Sequence, residues 1–133
     1  MSLTYLVDTD WVIDHLNGVT AISQRLNDLS ADGIGLSIIS LAELFEGVAY
    51  SRNPQASQQG LDEFLGGVSL IDITPEIARI FGRERGRLRK QGQISGDFDL
   101  LIAATCLHHD LTLLTNNRKH FERIVNLKLV PVE

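Results

Sequence analysis

The chain has 133 residues, 44% of them apolar, and a formal net charge of −5 from 12 Lys and Arg against 17 Asp and Glu. That length sets one domain, long enough to bury roughly two-thirds of its unfolded surface without staples. The acidic balance excludes a general nucleic-acid coat, the single cysteine excludes an intramolecular disulfide, and no apolar stretch reaches membrane-spanning length. The amino terminus lacks a basic-then-apolar export signal, so a cytoplasmic protein is expected.

Strand and helix patterns alternate from end to end, which predicts a single α/β domain over 1–133 with a parallel sheet of about five strands flanked by helices. Strands are expected at 3–8, 34–38, 68–71, 111–115 and 127–130. Helices are expected at 10–17, 20–31, 40–50, 55–66, 75–91, 97–109 and 117–124. The first strand is a nearly unbroken apolar run, Leu3 to Val7, that stops at Asp8-Thr9-Asp10 before Trp11, Val12, Ile13 and Leu16 take up helical spacing. Asp8 therefore stands at a carboxyl strand end, where it is a candidate functional acid; the plainer role is that Asp8 or Thr9 caps the next helix.

Ile34 to Ile39 reads as the second strand, and Ser40 opens a helix whose fourth residue is Glu43. Ser40-Leu41-Ala42-Glu43 matches a capping box, which is the plainer role for this glutamate. Glu46, one turn on, fits a solvated position or a group supporting the site from behind. Ser51 to Gly60 is the least regular segment and reads as a surface loop or a frayed helix start.

Residues 79–90 hold Arg79, Arg83, Arg85, Arg87, Arg89 and Lys90 against only Glu84, half of all basic residues in the chain. On a helix Arg79, Arg83, Arg87 and Lys90 form one cationic stripe, while Ile77, Ile80, Phe81 and Leu88 turn toward the core. The stripe suits phosphate neutralisation, or it is a solvated face beside intrachain acids.

The segment Gly96 to Leu107 is a helix with two acids in its first turn, Asp97 and Asp99, which compete for one inward role, the other being left as the cap. Cys106 lies among apolar neighbours and reads as a buried thiol. His15, His108, His109 and His120 have no zinc-ligand spacing: His108-His109 suits a helix carboxyl end and His120 a basic surface turn. After the fourth strand, Thr115-Asn116-Asn117 reads as a turn or, at Asn117, as a fourth polar station on the same sheet edge.

In this order the segments Tyr5 to Asp10, Leu36-Ser37 through Ser40 to Leu44 with Gly47, Asp99 to Ala104, and Leu113 to Asn117 ending in Phe121 resemble the PIN-domain endoribonucleases, and within them the VapC-type toxins. The resemblance spans nearly the whole chain. It implies a Rossmann-like parallel sheet, commonly dimeric, with Asp8, Glu43 and Asp99 as metal-holding acids and Asn117 where a fourth aspartate often stands. It favours Asp99 over Asp97 as the third acid. It further implies RNA as substrate and a VapB-type antitoxin whose carboxyl-terminal arm enters the acidic groove.

The chemistry follows from the acids themselves. Gathered carboxylates repel in a partly dry crevice, and a cation such as Mg²⁺ or Mn²⁺ relieves that repulsion while activating water for attack on a phosphodiester. Two alternatives stand beside this reading. Asp8-Thr9-Asp10 with Gly96-Asp97 resembles the acidic motifs of haloacid-dehalogenase-type phosphatases, and a catalytically silent PIN-fold module would use its acidic pocket only to grip a partner's arginine.

Overall fold

The computed structural model describes residues 2–93 and 95–130. Five short strands form one parallel sheet: β1 (Tyr5–Val7), β2 (Ile34–Ser37), β3 (Ser69–Ile71), β4 (Thr112–Leu114) and β5 (Lys128–Leu129), in the order β3-β2-β1-β4-β5. Seven α-helices connect them: α1 (Thr9–Leu16), α2 (Thr20–Leu29), α3 (Ile38–Tyr50), α4 (Pro54–Leu65), α5 (Pro75–Lys90), α6 (Asp97–His109) and α7 (Arg118–Phe121). The expected class and strand count hold, although β1 and β5 are shorter than the apolar runs implied.

Side-chain alternation divides the core. Val7 and Leu114 point into a cluster with Trp11, Val12, Leu26, Leu44 and Leu61, built by α1 to α4. Their strand neighbours Leu6 and Leu113 face the other side, against Leu88, Leu100, Ala103 and Phe121 of α5, α6 and α7. A strand buried on both faces is almost continuously apolar, which is why β1 reads as a solid run and β4 as one broken only by Thr112. Trp11 and Phe121 are fully buried, and truncating either to alanine would cost about 3–5 kcal/mol.

The connectivity places a topological switch beside β1. From it the chain first builds β2 and β3 on one side, then crosses to β4 and β5 on the other. Crevices in parallel sheets open at such a point, outside the carboxyl ends of the strands. Here those ends are Asp8 after β1 and Thr115 after β4, and the Asp8 amide donates to the Leu114 carbonyl at 2.9 Å.

Three local expectations are corrected. Helix α3 starts at Ile38, not Ser40, because the Ser37 hydroxyl accepts from the Ile39 amide and caps it. Ser40 is therefore inside the first turn, fully buried, with its hydroxyl unpartnered among the described residues. Asp97 is not the cap of α6; that position is Gly96, and Asp97 is instead ion-paired with Arg85. The irregular 51–60 segment is mostly helix, since Asn53 caps α4 through the Ala56 amide and Pro54 supplies a preset first-turn φ.

One glycine fixes the entry into β2. Gly33 turns into β2 at φ +87°, and its carbonyl accepts from the amides of Thr4 and Tyr5. A Cβ there would lie 2.5 Å from the Ser2 carbonyl oxygen, so no other residue fits. No helix among the described residues is long and apolar enough to cross a membrane.

Candidate active site

Asp8 is the most buried acid of the crevice, at 3% exposure. Its Oδ1 accepts from the Thr9 amide at 2.8 Å, so it does cap α1 as the plainer role proposed. Its Oδ2 meanwhile accepts from the Thr115 hydroxyl at 2.7 Å, across the switch point. Capping and site placement are thus one arrangement. Burial pushes the Asp8 carboxyl up to about 7, and the charges of Asp10 and Asp99 add to that push against its two hydrogen bonds.

Glu43 sits in the second turn of α3. Because the helix begins before Ser40, the glutamate does not fold back as a capping box; its Oε1 accepts from the Thr9 hydroxyl at 2.7 Å. Thr9 therefore holds two acids at once, Asp8 through its amide and Glu43 through its side chain. Glu43 is also raised, first by burial and then by repulsion from Asp99 and Glu46, against the Thr9 bond. Glu46 itself is exposed.

Asp99 lies half-buried in the first turn of α6, and its Oδ2 is 2.9 Å from Nδ1 of His120. The same acid raises both Asp8 and Glu43. Three acids from three separate elements thus share one electrostatic field. Among the described residues no three His, Cys, Asp or Glu side chains stand close enough to grip one ion as they lie. The donor set nonetheless fits a hard divalent cation, because such an ion takes oxygen ligands, needs only one or two direct carboxylates and keeps several waters.

Asn117 is exposed and opens α7 without capping it; its amide donates to the Thr115 hydroxyl at 3.0 Å. It lines neither of the two depressions that Asp99 lines. Asp10 has both oxygens taken by backbone amides, from Trp11 at 2.8 Å and Asn116 at 2.9 Å, while the Trp11 indole donates to the Asn116 side chain at 3.0 Å. That lattice clamps the turn after β4 onto α1. On the dehalogenase pattern Asp10 would serve as acid/base, yet here both of its oxygens are engaged in clamping backbone amides, and a helix, α5, rather than a strand precedes Asp97.

The cationic stripe is real on α5 but partly neutralised. Glu84, nearly buried, accepts from Arg87 at 2.9 and 3.2 Å and lies 3.8 Å from Arg83. Arg83 and Arg87 line a depression with Leu107, Asp110 and Lys128, at the carboxyl end of α6, whereas Asp99 is in its first turn. Arg79 and Lys90 are exposed. Cys106 is buried as expected, and burial pushes its thiol well above the usual range, which leaves it inert.

Sequence reasoning missed Thr9 as a bridge, Thr115 as a partner of Asp8, and His120 as a partner of Asp99. Thr115 was within reach, since it follows β4 as Asp8 follows β1. An apolar groove of about 470 Å³ also went unforeseen; Ile13, Leu16, Leu44 and Val48 line it between α1, α3 and α4, with Glu43 at its edge. Ile13 and Leu16 remain 44% and 37% exposed there.

Known proteins agree with this architecture. The PIN domain pattern matches residues 5–127. A ribonuclease VapC2 of Rickettsia felis is 42% identical over 129 residues, covering 96% of either chain, and a ribonuclease VapC2 of Haemophilus influenzae is 33% identical over 127 residues, covering 95% of this chain and 96% of the relative. The crystal structure of VapBC2 from Rickettsia felis bound to a DNA fragment from their promoter superposes with a TM-score of 0.92 at 34% identity, covering 98% of this chain and 100% of that one. With sequence pattern, relatives and superposition in agreement over nearly the whole length, the chain belongs to the PIN domain family, within its VapC group.

Proposed function

We propose that the chain is a divalent-metal-dependent endoribonuclease and the toxin of a VapBC-type pair, hydrolysing RNA phosphodiester bonds at the crevice beside β1. The observation that carries the reading is the convergence of Asp8, Glu43 and Asp99 on the switch point, where the Asp99 charge raises both Asp8 and Glu43. Holding a buried Asp8 and a part-buried Glu43 in the field of a third carboxylate is costly unless a cation takes up the charge. VapC ribonucleases are its relatives over nearly the full length.

Asp8, Glu43 and Asp99 would hold Mg²⁺ or Mn²⁺, with Asn117 offering a neutral oxygen at the rim. Such an ion supplies an activated water and offsets charge growing on the phosphoryl oxygens. The chain's own residues prepare the site. Thr9 fixes Glu43 and Asp8 in mutual register, Thr115 holds the second Asp8 oxygen, and His120 orients Asp99. Loss of the Asp8 proton near neutrality turns the deepest ligand into a full carboxylate. Exposed Arg79, Arg83 and Lys90, with Arg87 partly neutralised by Glu84, would attract more distant phosphates by long-range field.

The groove between α1, α3 and α4 is the seat we assign to an antitoxin arm. Its apolar floor suits an amphipathic segment, and Glu43 at its edge offers an acid to a basic side chain of the same segment. Solved relatives are VapBC toxin–antitoxin complexes, and the family is commonly dimeric, as a second copy of this chain would be.

The deciding experiment incubates the purified chain with total RNA in Mg²⁺, in Mn²⁺ and in chelator. Cleavage that needs the ion, leaves no cyclic phosphate end and vanishes in Asp8→Asn supports the reading. Binding of RNA or antitoxin without cleavage in either ion would make the chain a silent PIN-fold module, and cyclic phosphate ends would refute attack by water.

A further inference from the structure

The acidic crevice repels the very polyanion it is to cleave, so compensating positive charge must lie close to it. The stripe on α5 does not do this closely, because Glu84 holds Arg87 and the pair opens toward the other end of α6. A second depression does. It measures about 260 Å³, adjoins the crevice through Asp99, and is lined by Ser95, Gly96, Asp99, Lys119, His120 and Arg123.

The shape of this depression sets its chemistry. Asp99 lines it together with three basic side chains from α7 and the turn that follows it, one of which, His120, contacts Asp99 directly. Asp99 is also shared with a neighbouring depression of about 350 Å³ that holds Glu43, Asp97 and Phe98. Among the described residues Lys119 has no hydrogen-bond or ion-pair partner, and it is exposed. His120 directs its Nδ1 at Asp99 while remaining 57% exposed, so it covers part of the Asp99 charge on this side. Ser95, with a small side chain, and Gly96, with none, stand just before α6 and leave room for a bulky tetrahedral group.

We infer that the Lys119–His120–Arg123 depression is a phosphate subsite of the RNA strand, seating the backbone group adjoining the one cleaved at Asp8, Glu43 and Asp99. The inference rests on the nuclease reading and adds to it the path of the strand: it passes over Asp99, with a phosphate beyond it held by Lys119 and Arg123. The contact reads the backbone and not the bases, so it contributes to affinity for every RNA alike.

The test compares wild type, Lys119→Gln, Arg123→Gln and, as an equal charge loss beyond the far end of α3, Arg52→Gln. Salt dependence of kcat/KM is measured on one RNA, and on copies with a neutral methylphosphonate at successive linkages. We expect kcat/KM to fall about 3–10-fold in Lys119→Gln and Arg123→Gln with kcat retained, and the log–log salt slope to flatten by about 0.7 per variant. Arg52→Gln should change neither. One methylphosphonate near the scissile bond should hurt wild type and add nothing to Lys119→Gln. Unchanged kcat/KM and slope in both pocket variants, with wild type active, would remove the subsite and leave the nuclease standing. A fall in kcat at constant KM would also overturn it, since the residues would then act through Asp99. Failure of wild type to cleave any RNA would instead fell the nuclease reading, and the subsite with it.

Discussion

Replacing Asp8 by asparagine should stabilise the cation-free protein near pH 8 while abolishing cleavage. The sign follows from its raised carboxyl. Burial lifts Asp8 from 3.8 to about 7, so the folded chain holds a proton that the unfolded chain releases. A raised acid contributes fully below the unfolded value and loses that contribution as pH rises through about 7. Three units correspond to about 4 kcal/mol of destabilisation at pH 8. Asparagine removes the charge but disturbs one bond: the Thr115 hydroxyl, which donates to Oδ2 and accepts from the Asn117 amide, would face an amide donor instead. That mismatch costs about 1 kcal/mol. The remainder is roughly 3 kcal/mol, or on the order of 10 °C in Tm for a domain of this size.

Thermal unfolding in chelator at several pH values between about 4 and 8 measures it. Wild type should lose stability across that window more steeply than Asp8→Asn, which keeps only the slope of the raised Glu43 and Asp10. The two curves should cross toward the acid end, where Asp8 is neutral and only the variant's hydrogen-bond mismatch separates them. Adding Mn²⁺ at about pH 8 should raise wild type and not the variant. Equal Tm values at pH 8, or parallel pH profiles, would refute the argument that this carboxylate is held in its charged form at a cost.

Thr9→Val should weaken Mn²⁺ binding about 10–100-fold by releasing Glu43, with Thr9→Ser restoring it, as calorimetry would register. Asp99→Asn should end cleavage, whereas Asp97→Asn, which loses only an exposed pair with Arg85, should keep most of it; the reverse pattern would move the third acid to Asp97. Asn117→Asp should lower the Mn²⁺ concentration needed for half-maximal cleavage and lower Tm in chelator, and identical values for the two proteins would place Asn117 outside the ion's reach.

The sequence by itself determined the fold class, because strands buried on both faces of a parallel sheet are almost continuously apolar, and Leu3 to Val7 and Leu111 to Leu114 are apolar but for Thr4 and Thr112. It also determined where polar chemistry had to appear, at the residues ending those runs, since a charged side chain such as Asp8 is tolerated only where the strand leaves the core. Helix starts were less legible. Ser37 and Ser40 are both good caps, and which one served depended on where β2 let go of the sheet. Only the tertiary structure decided the partners. Thr9 and Glu43 are 34 residues apart, Asp8 and Thr115 107 apart, Asp99 and His120 21 apart. No local pattern encodes such pairs; strand order β3-β2-β1-β4-β5 brings them together. The stripe on α5 was visible as spacing, yet its pairing with Glu84 was set by the packing of α5 on α6, which buries that glutamate and draws Arg87 to it.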